Sequence, residues 1–223
     1  MPLISHRGLV LPPLTENTMA TFRTVLTTPC RFIELDVRKT KDGVPVVFHD
    51  ATLDRVAGVP GEVREMSWER LQQIELHGGE KIPSLYHVLS AFKDNVKFDI
   101  EIKSSNTVDP VLQDILSSGV PLDNVIITSF KWGEVEKMRK IAPYIRTGLI
   151  STCFPRCCIR KCQKMGANVA VLFHQTITKD VVKYATDRNI EIYAFTVNNQ
   201  KRIKTLLSYG VSKIITDTPA ALQ

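Results

Sequence analysis

The chain has 223 residues and a formal charge of +6, with 29 Lys and Arg residues against 23 Asp and Glu residues. Hydrophobic residues make up 43% and charged residues 23%, which is typical of a globular protein and excludes disordered, collagen-like and low-complexity classes. No run approaches the ~18 consecutive apolar residues of a membrane-spanning helix, and the first residues lack the apolar run of a secretory signal. Four of the five cysteines lie between Cys153 and Cys162, which is unlike a disulfide framework and predicts a cytoplasmic protein.

Short runs of apolar and β-branched residues alternate with longer amphipathic stretches along the chain. The stretches have apolar residues at helical spacing, and Ser84 and Thr178 are typical N-caps for two of the helices. Eight repeats of strand and helix predict the α/β class and a single (β/α)8 TIM-type barrel domain over residues 1–223. A doubly wound open sheet is the second interpretation. The predicted strands are Pro2–Ser5, Arg31–Arg38, Lys97–Lys103, Asn124–Phe130, Ile145–Ile150, Asn168–Phe173, Glu191–Val197 and Lys213–Thr216.

One interval interrupts this alternation after the second predicted strand. Residues 42–83 contain another strand-like run, Val44–His49, followed by Gly58, Pro60 and a short helix that Ser67 can cap. We interpret the interval as a small insertion. Because it follows the C-terminal end of a barrel strand, we expect it to lie over the mouth of the barrel, where active sites form.

Two predicted strands carry charged residues at alternate positions. Glu34 and Asp36 share one face of the second strand, and Glu101 and Lys103 share one face of the third. The apolar residues between them should pack against helices, so the acidic residues should point into the barrel. Converging buried carboxylates are costly unless a cation lies among them. The pattern fits either a divalent cation with oxygen ligands or a network of ion pairs with Lys103 and Arg38.

Two histidines stand near strand ends in the first quarter of the chain. His6 follows the first strand, and His49 follows the run that begins at Val44. Histidine exchanges protons readily near neutral pH, and two histidines beside a carboxylate cluster favour acid-base chemistry over a purely structural role. Asp50 is adjacent to His49, but neighbours on a strand point in opposite directions. The sequence therefore does not predict that Asp50 orients the ring.

Seven short motifs occur in an order that covers almost the whole chain. They are His6-Arg7-Gly8, Glu16-Asn17-Thr18, Glu34-Leu35-Asp36-Val37, residues 42–50, Ile82-Pro83-Ser84-Leu85, Glu101-Ile102-Lys103 and Ile214-Ile215-Thr216-Asp217-Thr218-Pro219. Together these motifs resemble the glycerophosphodiester phosphodiesterase family from residue 6 to residue 219. The resemblance implies a TIM-type barrel with an insertion after the second strand, which agrees with the periodicity.

The resemblance also implies an activity, the metal-dependent hydrolysis of glycerophosphodiesters to sn-glycerol 3-phosphate and an alcohol. The implied cofactor is one divalent metal ion, Mg²⁺ or Ca²⁺. The sequence leaves open which histidine is the acid, and whether water or the glycerol 2-hydroxyl attacks phosphorus. The implied set comprises His6 and His49 as acid and base, Glu34, Asp36 and Glu101 as metal ligands, and Arg7 and Lys103 as contacts to the substrate phosphate.

Two aromatic residues near strand ends, Phe130 and Phe195, are candidates for the wall of the pocket. Phe195 stands where family members commonly have tryptophan, and Ser5 replaces the alanine that commonly precedes the first histidine. Neither departure affects a proton carrier or a metal ligand. They leave the identity of the alcohol group of the substrate open.

Three other functions remain as alternatives for the same residues. One is lysophospholipase D-like cleavage of lysophospholipids to lysophosphatidic acid, which differs only in how much acyl chain the mouth accepts. A second is a non-catalytic barrel that binds anions or membranes, against which the intact set of acidic residues and histidines argues. A third is a sphingomyelinase D-like lyase, but those secreted enzymes carry disulfides and this chain lacks their cysteine layout.

The positive charge is concentrated in one part of the chain. Residues 131–165 hold nine basic residues against two acidic ones, so the excess lies outside the predicted catalytic strands. A charged run of this kind usually faces solvent, and it also offers a surface for contact with an anionic membrane. A modest charge without a recognised motif or a stacking platform does not predict nucleic-acid binding. The oligomeric state is not predicted.

Overall fold

Eight parallel strands close into a barrel in the computed structural model of the protein, which describes residues 2–220. The first strand pairs with both the second and the last, which closes the sheet, and among the described residues one further short strand pairs antiparallel with the second. The (β/α)8 barrel predicted from the sequence is therefore confirmed, and the open sheet is wrong. The strands are β1 (Leu3–His6), β2 (Phe32–Lys39), β3 (Pro45–Val47), β4 (Lys97–Ile102), β5 (Val125–Ser129), β6 (Arg146–Ser151), β7 (Val169–Phe173), β8 (Glu191–Phe195) and β9 (Lys213–Thr216).

The register of β1, β2 and β4 brings polar side chains together. Glu34 of β2 pairs beside Asp99 of β4, and Asp36 pairs beside Glu101. On the other side of β2, His6 of β1 pairs beside Glu34. Because alternate residues of a strand share a face, these side chains form one continuous polar patch inside the barrel.

Two apolar layers surround this patch. The larger lies between the strands and the helices and includes Ile33, Leu35 and Val37 of β2. The smaller fills the interior of the barrel with residues such as Ile126 and Val171. Each fully buried side chain of this size stabilises the fold by ~1.5 to 3 kcal/mol. Strand β2 thus packs its apolar residues outward and directs its carboxylates inward, as the alternation in the sequence predicts.

Helices between the strands form the outer layer of the barrel. The side chains of Thr18, Ser84, Thr178 and Asn199 each cap a helix by accepting a hydrogen bond from the backbone N–H three residues on. The two N-caps predicted from the sequence are among them. No helix within residues 2–220 has the length and apolar composition needed to cross a membrane. The helices are α1 (Met19–Val25), α2 (Asp54–Ala57), α3 (Trp68–Leu71), α4 (Leu85–Phe92), α5 (Val108–Ser118), α6 (Trp132–Ile141), α7 (Pro155–Met165), α8 (Lys179–Thr186) and α9 (Gln200–Ser208).

The interval after β2 forms a small layer with its own core. It contains β3, the short helices α2 and α3, and an apolar cluster that includes Leu53, Val63 and Leu71. Strand β3 ties the layer to the barrel by pairing Val47 with Val37 of β2. The insertion therefore begins at the C-terminal end of a barrel strand, where the sequence predicts it.

One carboxylate in the outer layer gives a stability prediction. Asp114 of α5 has a buried Oδ2 atom without a hydrogen-bond partner, and burial raises its pKa to about 6 although a backbone donor at Tyr86 opposes the shift. The folded protein therefore binds this proton more tightly than the unfolded chain does, so stability falls as the pH rises from about 4 to about 6. We expect Asp114→Asn to stabilise the protein by about 1 kcal/mol at pH 7.5, a value discounted for partial exposure, and to have no such effect at pH 4.

Urea unfolding of both proteins at the two pH values measures this difference. Asp94→Asn, a change at an exposed aspartate nearby in sequence, is the matched control and should show no pH-dependent gain. The prediction would be contradicted if the difference in free energy of unfolding between Asp114→Asn and wild type were the same at both pH values.

Candidate active site

The C-terminal ends of β1, β2 and β4 open onto a cavity of about 220 Å³ at the mouth of the barrel. Residues that follow different strands meet there because the loops after parallel barrel strands all emerge at the same face. A larger cavity of about 420 Å³ lies around the N-terminal ends of the strands, but its lining contains no histidine. The mouth cavity is lined by His6, Arg7, Glu34, His49, Asp99, Glu101, Lys103, Thr128, Phe130, Ile150, Val171, Phe195, Thr196 and Ile215.

Glu34, Asp36 and Glu101 form a buried acidic triad beside this cavity. One carboxylate oxygen from each residue lies within 4.8 Å of the others, and the three residues are 4%, 1% and 9% exposed. Burial and mutual repulsion raise the pKa of Glu34 well above its usual value and also raise the pKa of Glu101. The buried Oδ1 atom of Asp36 has no hydrogen-bond partner. Three converging carboxylates, one of them with an oxygen that accepts no hydrogen bond, suit a hard divalent cation.

Two cationic side chains contact the acidic triad. Arg7 Nε lies 3.1 Å from Asp36 Oδ2. Lys103 Nζ lies 2.8 Å from Glu101 Oε1 and 3.4 Å from Asp36 Oδ1. Burial alone would raise the pKa of Asp36, but these two cations hold it below its usual value. Arg38 instead donates from Nε to a backbone carbonyl of the insertion at 2.8 Å, so Arg7 takes the place that the sequence offered to Arg38.

A left-handed turn after β1 directs Arg7 back toward the triad. Arg7 has φ of 56° and Gly8 has φ of 84°. A Cβ atom on Gly8 would lie 2.6 Å from Thr21 Oγ1, so the turn requires glycine at this position. The turn lets the backbone N–H of Arg7 donate to Glu34 Oε2 at 3.1 Å. A non-glycine residue in this conformation costs about 1 to 3 kcal/mol, and such strain is concentrated at functional sites.

His6 is held by a carboxylate from the other end of the chain. Its Nδ1 atom lies 2.6 Å from Asp217 Oδ1, and Asn198 Nδ2 donates to Asp217 Oδ2 at 2.6 Å. The hydrogen bond with His6 holds the pKa of Asp217 below its usual value. The other ring nitrogen, Nε2, lies 4.0 Å from Glu34 Oε2. His6 therefore presents Nε2 to the acidic triad.

His49 has a matching carboxylate, because its Nδ1 atom lies 2.6 Å from Asp50 Oδ1. The two residues lie in a bend after β3, so the strand alternation that argued against this contact does not apply. Burial opposes ionisation of Asp50, but hydrogen bonds from Arg55 and His49 hold its pKa at about 2. Burial lowers the pKa of His49, against the opposing attraction of Asp36 and Asp50. The lowered pKa favours the neutral form of the His49 ring.

A chain of ion pairs connects the insertion with the loop after β1. Arg55, which donates to Asp50, also donates from Nη2 to Glu16 Oε1 at 2.6 Å. The same Glu16 oxygen accepts a hydrogen bond from Arg7 Nη1 at 3.0 Å. The sequence marks Glu16 only as part of a motif at a helix start, and Arg55 only as one of many surface cations. Their shared contact depends on two loops that meet in space, which spacing within the sequence does not indicate.

Aromatic rings form the opposite side of the cavity. The ring centroid of Phe195 lies 6.0 Å from that of Phe130 and 6.2 Å from that of Phe173. Lys103 Nζ lies 5.8 Å from the centroid of Phe130, which is 46% exposed. The structure thus brings Phe130 and Phe195 together at the cavity, and Phe173, which the sequence did not single out, packs against Phe195 without lining the cavity.

Asp99 lies one layer deeper in the barrel than Glu101. Thr128 Oγ1 donates to Asp99 Oδ1 at 2.6 Å, while the buried Oδ2 atom has no hydrogen-bond partner. Burial and the nearby carboxylates raise the pKa of Asp99 to about 7. Asp99 therefore carries less negative charge near pH 7 than an ordinary aspartate does.

A barrel that collects an acidic triad, two cations and two carboxylate-supported histidines at its C-terminal mouth defines an enzyme site suited to an anionic substrate. The sequence model of the glycerophosphoryl diester phosphodiesterase family matches this chain over residues 6–221. The chain belongs to that family, and the protein is accordingly a phosphoric diester hydrolase.

Individual relatives match over nearly their full lengths. A glycerophosphodiester phosphodiesterase of Caldanaerobacter subterraneus subsp. tengcongensis is 31% identical, over 99% of this chain and 95% of that protein. The structure of a glycerophosphodiester phosphodiesterase from Thermotoga maritima is similar with a TM-score of 0.84 at 23% identity, covering 99% and 96% of the two chains. A phosphodiesterase of Oleispira antarctica, solved with the product sn-glycerol-3-phosphate, has a TM-score of 0.90 at 20% identity, covering 100% and 95%. The two structures share the barrel fold with this chain.

Proposed function

We propose that the protein hydrolyses glycerophosphodiesters to sn-glycerol 3-phosphate and an alcohol, with His6 and His49 as an acid-base pair. The observation that carries the proposal is that each histidine has a carboxylate 2.6 Å from Nδ1 and that both line the cavity beside the acidic triad. A carboxylate at Nδ1 fixes the tautomer of the ring and leaves Nε2 to exchange protons with a substrate. The product bound to the Oleispira antarctica relative supports the same substrate class.

The acidic triad is the proposed site for one divalent metal ion, Mg²⁺ or Ca²⁺, with Glu34, Asp36 and Glu101 as ligands. The three carboxylates fit such an ion, and so does the Asp36 Oδ1 atom, which accepts no hydrogen bond. When bound, the ion supplies Lewis-acid stabilisation of the negative charge on the phosphate. The chain's own cations, Arg7 and Lys103, contact the triad and are proposed to bind the phosphate oxygens.

The proposed reaction moves one proton at each histidine. One imidazole accepts the proton of the attacking hydroxyl as its oxygen forms a bond to phosphorus. The other imidazole gives a proton to the alcohol oxygen as its bond to phosphorus breaks, so the products leave without a net change in protons at the pair. The attacking group is either water or the 2-hydroxyl of the glycerol moiety. Only attack by the 2-hydroxyl forms a cyclic phosphate, so phosphorus NMR at early times of the reaction distinguishes the two routes.

A coupled assay for glycerol 3-phosphate tests the proposed function. Purified protein is incubated with the glycerophosphodiesters of choline, ethanolamine, glycerol and inositol, with Mg²⁺ or Ca²⁺ present. We expect release of glycerol 3-phosphate from at least one of these diesters. Absence of release from all of them with both metals would refute the proposal.

Asp217 gives a prediction about the support of His6. Asp217→Asn removes the negative charge beside His6 Nδ1, so we expect kcat to fall about tenfold or more. This loss is a fraction of the ~10²- to 10⁴-fold rate increase that a general acid or base contributes. Asp217→Glu keeps the carboxylate and should retain more activity. Asp187→Asn, at an exposed aspartate of the outer layer, is the control and should have the wild-type kcat. A wild-type kcat for Asp217→Asn would show that Asp217 does not support the reaction.

Cleavage of lysophospholipids is a second candidate function. It is favoured by the aromatic side of the cavity, where Phe130 and Phe195 offer apolar surface to an acyl chain. Comparing release of choline from lysophosphatidylcholine and from glycerophosphocholine separates the two functions. A higher kcat/KM for the acylated substrate would favour this candidate, and no turnover of it would exclude it.

We also propose a cytoplasmic protein that can contact an anionic membrane through residues 131–165. The five cysteines are free thiols, as expected for a reducing compartment. Within this segment Phe154 is 77% exposed, and it follows a barrel strand at the same face as the active site. Sedimentation with vesicles of phosphatidylglycerol and with vesicles of phosphatidylcholine tests the contact. We expect binding to the anionic vesicles alone, and equal recovery with both would refute it.

A further inference from the structure

A strongly basic groove of about 550 Å³ lies beside the active site. It is formed by the end of β2, part of the insertion and the loops that follow β4 and β5. Six basic residues and one acidic residue contribute to its lining, together with the side chains of two consecutive serines. The lining comprises Arg38, Lys39, Thr40, Lys41, Ala51, Glu62, Val63, Arg64, Lys103, Ser104, Ser105 and Lys131. We refer to it as the basic groove.

The positive charge of the basic groove is only partly compensated by the protein. Arg64 Nε donates to Glu62 at 2.6 Å and lies 3.4 Å from Glu65 Oε1. Lys103 already forms ion pairs with the acidic triad. Lys39 donates to a backbone carbonyl, and Lys41 and Lys131 make no ion pair with any carboxylate of residues 2–220. Clustered cations without acidic partners repel one another and create a local field that attracts an anion.

Arg38 adds a half-buried cation to the floor of the basic groove. Its Nε atom is fixed by a backbone carbonyl at 2.8 Å. A guanidinium held in this way has little orientational freedom to lose when it binds a phosphate.

The basic groove adjoins the catalytic cavity at Lys103, which lines both. An anion in the groove can therefore belong to the same molecule as the phosphodiester at the acidic triad. Lys103 is next to two different kinds of surface. The aromatic ring of Phe130 lies on one side of it and belongs to the apolar part of the catalytic cavity, and the cations of the basic groove lie on the other side.

We propose that the basic groove binds a phosphate monoester on the head group of the substrate, so that phosphorylated glycerophosphodiesters are preferred. This inference rests on the proposed function and specifies its substrate class. The guanidinium of Arg38 and the ammonium groups of three lysines suit a dianionic phosphate better than a single carboxylate. A cationic head group such as choline would be repelled by the same field.

The test uses two substrates that differ only in one phosphate, glycerophosphoinositol and glycerophosphoinositol 4-phosphate. We expect the wild-type protein to have a higher kcat/KM for the phosphorylated substrate. The variant Lys41→Gln/Lys131→Gln should lose about tenfold in kcat/KM for that substrate, roughly threefold for each exposed lysine, and should keep its activity on glycerophosphoinositol. Lys204→Gln, at an exposed lysine of α9, is the control and should change neither value.

Isothermal titration with inositol 4-phosphate and with inositol measures binding without turnover. We expect inositol 4-phosphate to bind the wild-type protein and to bind the double variant about tenfold more weakly, with inositol bound by neither. Equal kcat/KM values for the two substrates in the wild-type protein, or undiminished binding by the double variant, would overturn the inference while leaving the proposed function intact. Failure to hydrolyse either substrate would refute the proposed function, and the titration would still decide whether the groove binds the phosphate.

Discussion

Replacing either His6 or His49 with alanine is expected to lower kcat by roughly 10²- to 10⁴-fold, because each ring carries one of the two proton transfers of the proposed reaction. Their side chains are 20% and 29% exposed, and neither belongs to an apolar cluster of the barrel or of the insertion. Both variants should therefore fold. The coupled assay measures turnover, and circular dichroism with thermal unfolding measures the integrity of the fold.

His87→Ala provides the control for this pair of variants. His87 lies on the exposed surface of α4 in the outer layer, so its removal should leave kcat unchanged. If the alanine variant of either site histidine keeps the wild-type kcat, the acid-base assignment of that histidine is wrong. A variant that unfolds would be replaced by glutamine at the same position, which preserves polarity and approximate size but not the proton transfer.

Removal of the metal is expected to abolish turnover, and added Mg²⁺ or Ca²⁺ is expected to restore it. Glu34→Gln separates the role of the acidic triad in metal binding from its effect on stability. In the metal-free protein the three carboxylates repel one another, so neutralising one should leave the thermal midpoint unchanged or raise it. The same change removes an anionic ligand, so the rise in thermal midpoint on adding Mg²⁺ or Ca²⁺ should be much smaller than in wild type.

Glu65→Gln, at an exposed glutamate of the insertion, is the matched control for the metal experiment and should respond to metal as the wild type does. Elemental analysis verifies that the chelated sample contains no metal. Full activity in such a sample would refute the metal requirement. An equal metal-induced rise in thermal midpoint for Glu34→Gln and wild type would show that Glu34 is not a ligand.

The sequence predicted the parts of the site that lie on regular strands. Strand alternation placed Glu34, Asp36 and Glu101 inside the barrel, since a period of two fixes which side chains share a face. It failed for His49 and Asp50 because those residues lie in a bend, where the period does not hold. The contacts that loops create between distant segments were equally out of reach.

Asp217 and the basic groove illustrate this second limit. Asp217 contacts His6 across 211 positions of the chain, and only closure of the barrel brings the two ends together. The groove collects Lys41 from the turn at the end of β2 and Lys131 from the loop after β5, and each resembles an ordinary surface lysine in the sequence. Counting charged residues by segment therefore located the excess of positive charge in residues 131–165. It did not reveal the basic groove beside the active site.

The chain of ion pairs from Asp50 through Arg55 and Glu16 to Arg7 joins two separately packed layers, and each layer carries one of the two histidines. His6 stands on the barrel, whereas His49 is carried by the insertion, which packs around its own apolar core. The insertion has few residues with which to resist local opening, and the barrel has many. On heating, the enzyme should therefore lose its activity reversibly at a temperature where the barrel still retains its secondary structure, because partial release of the insertion already separates His49 from His6.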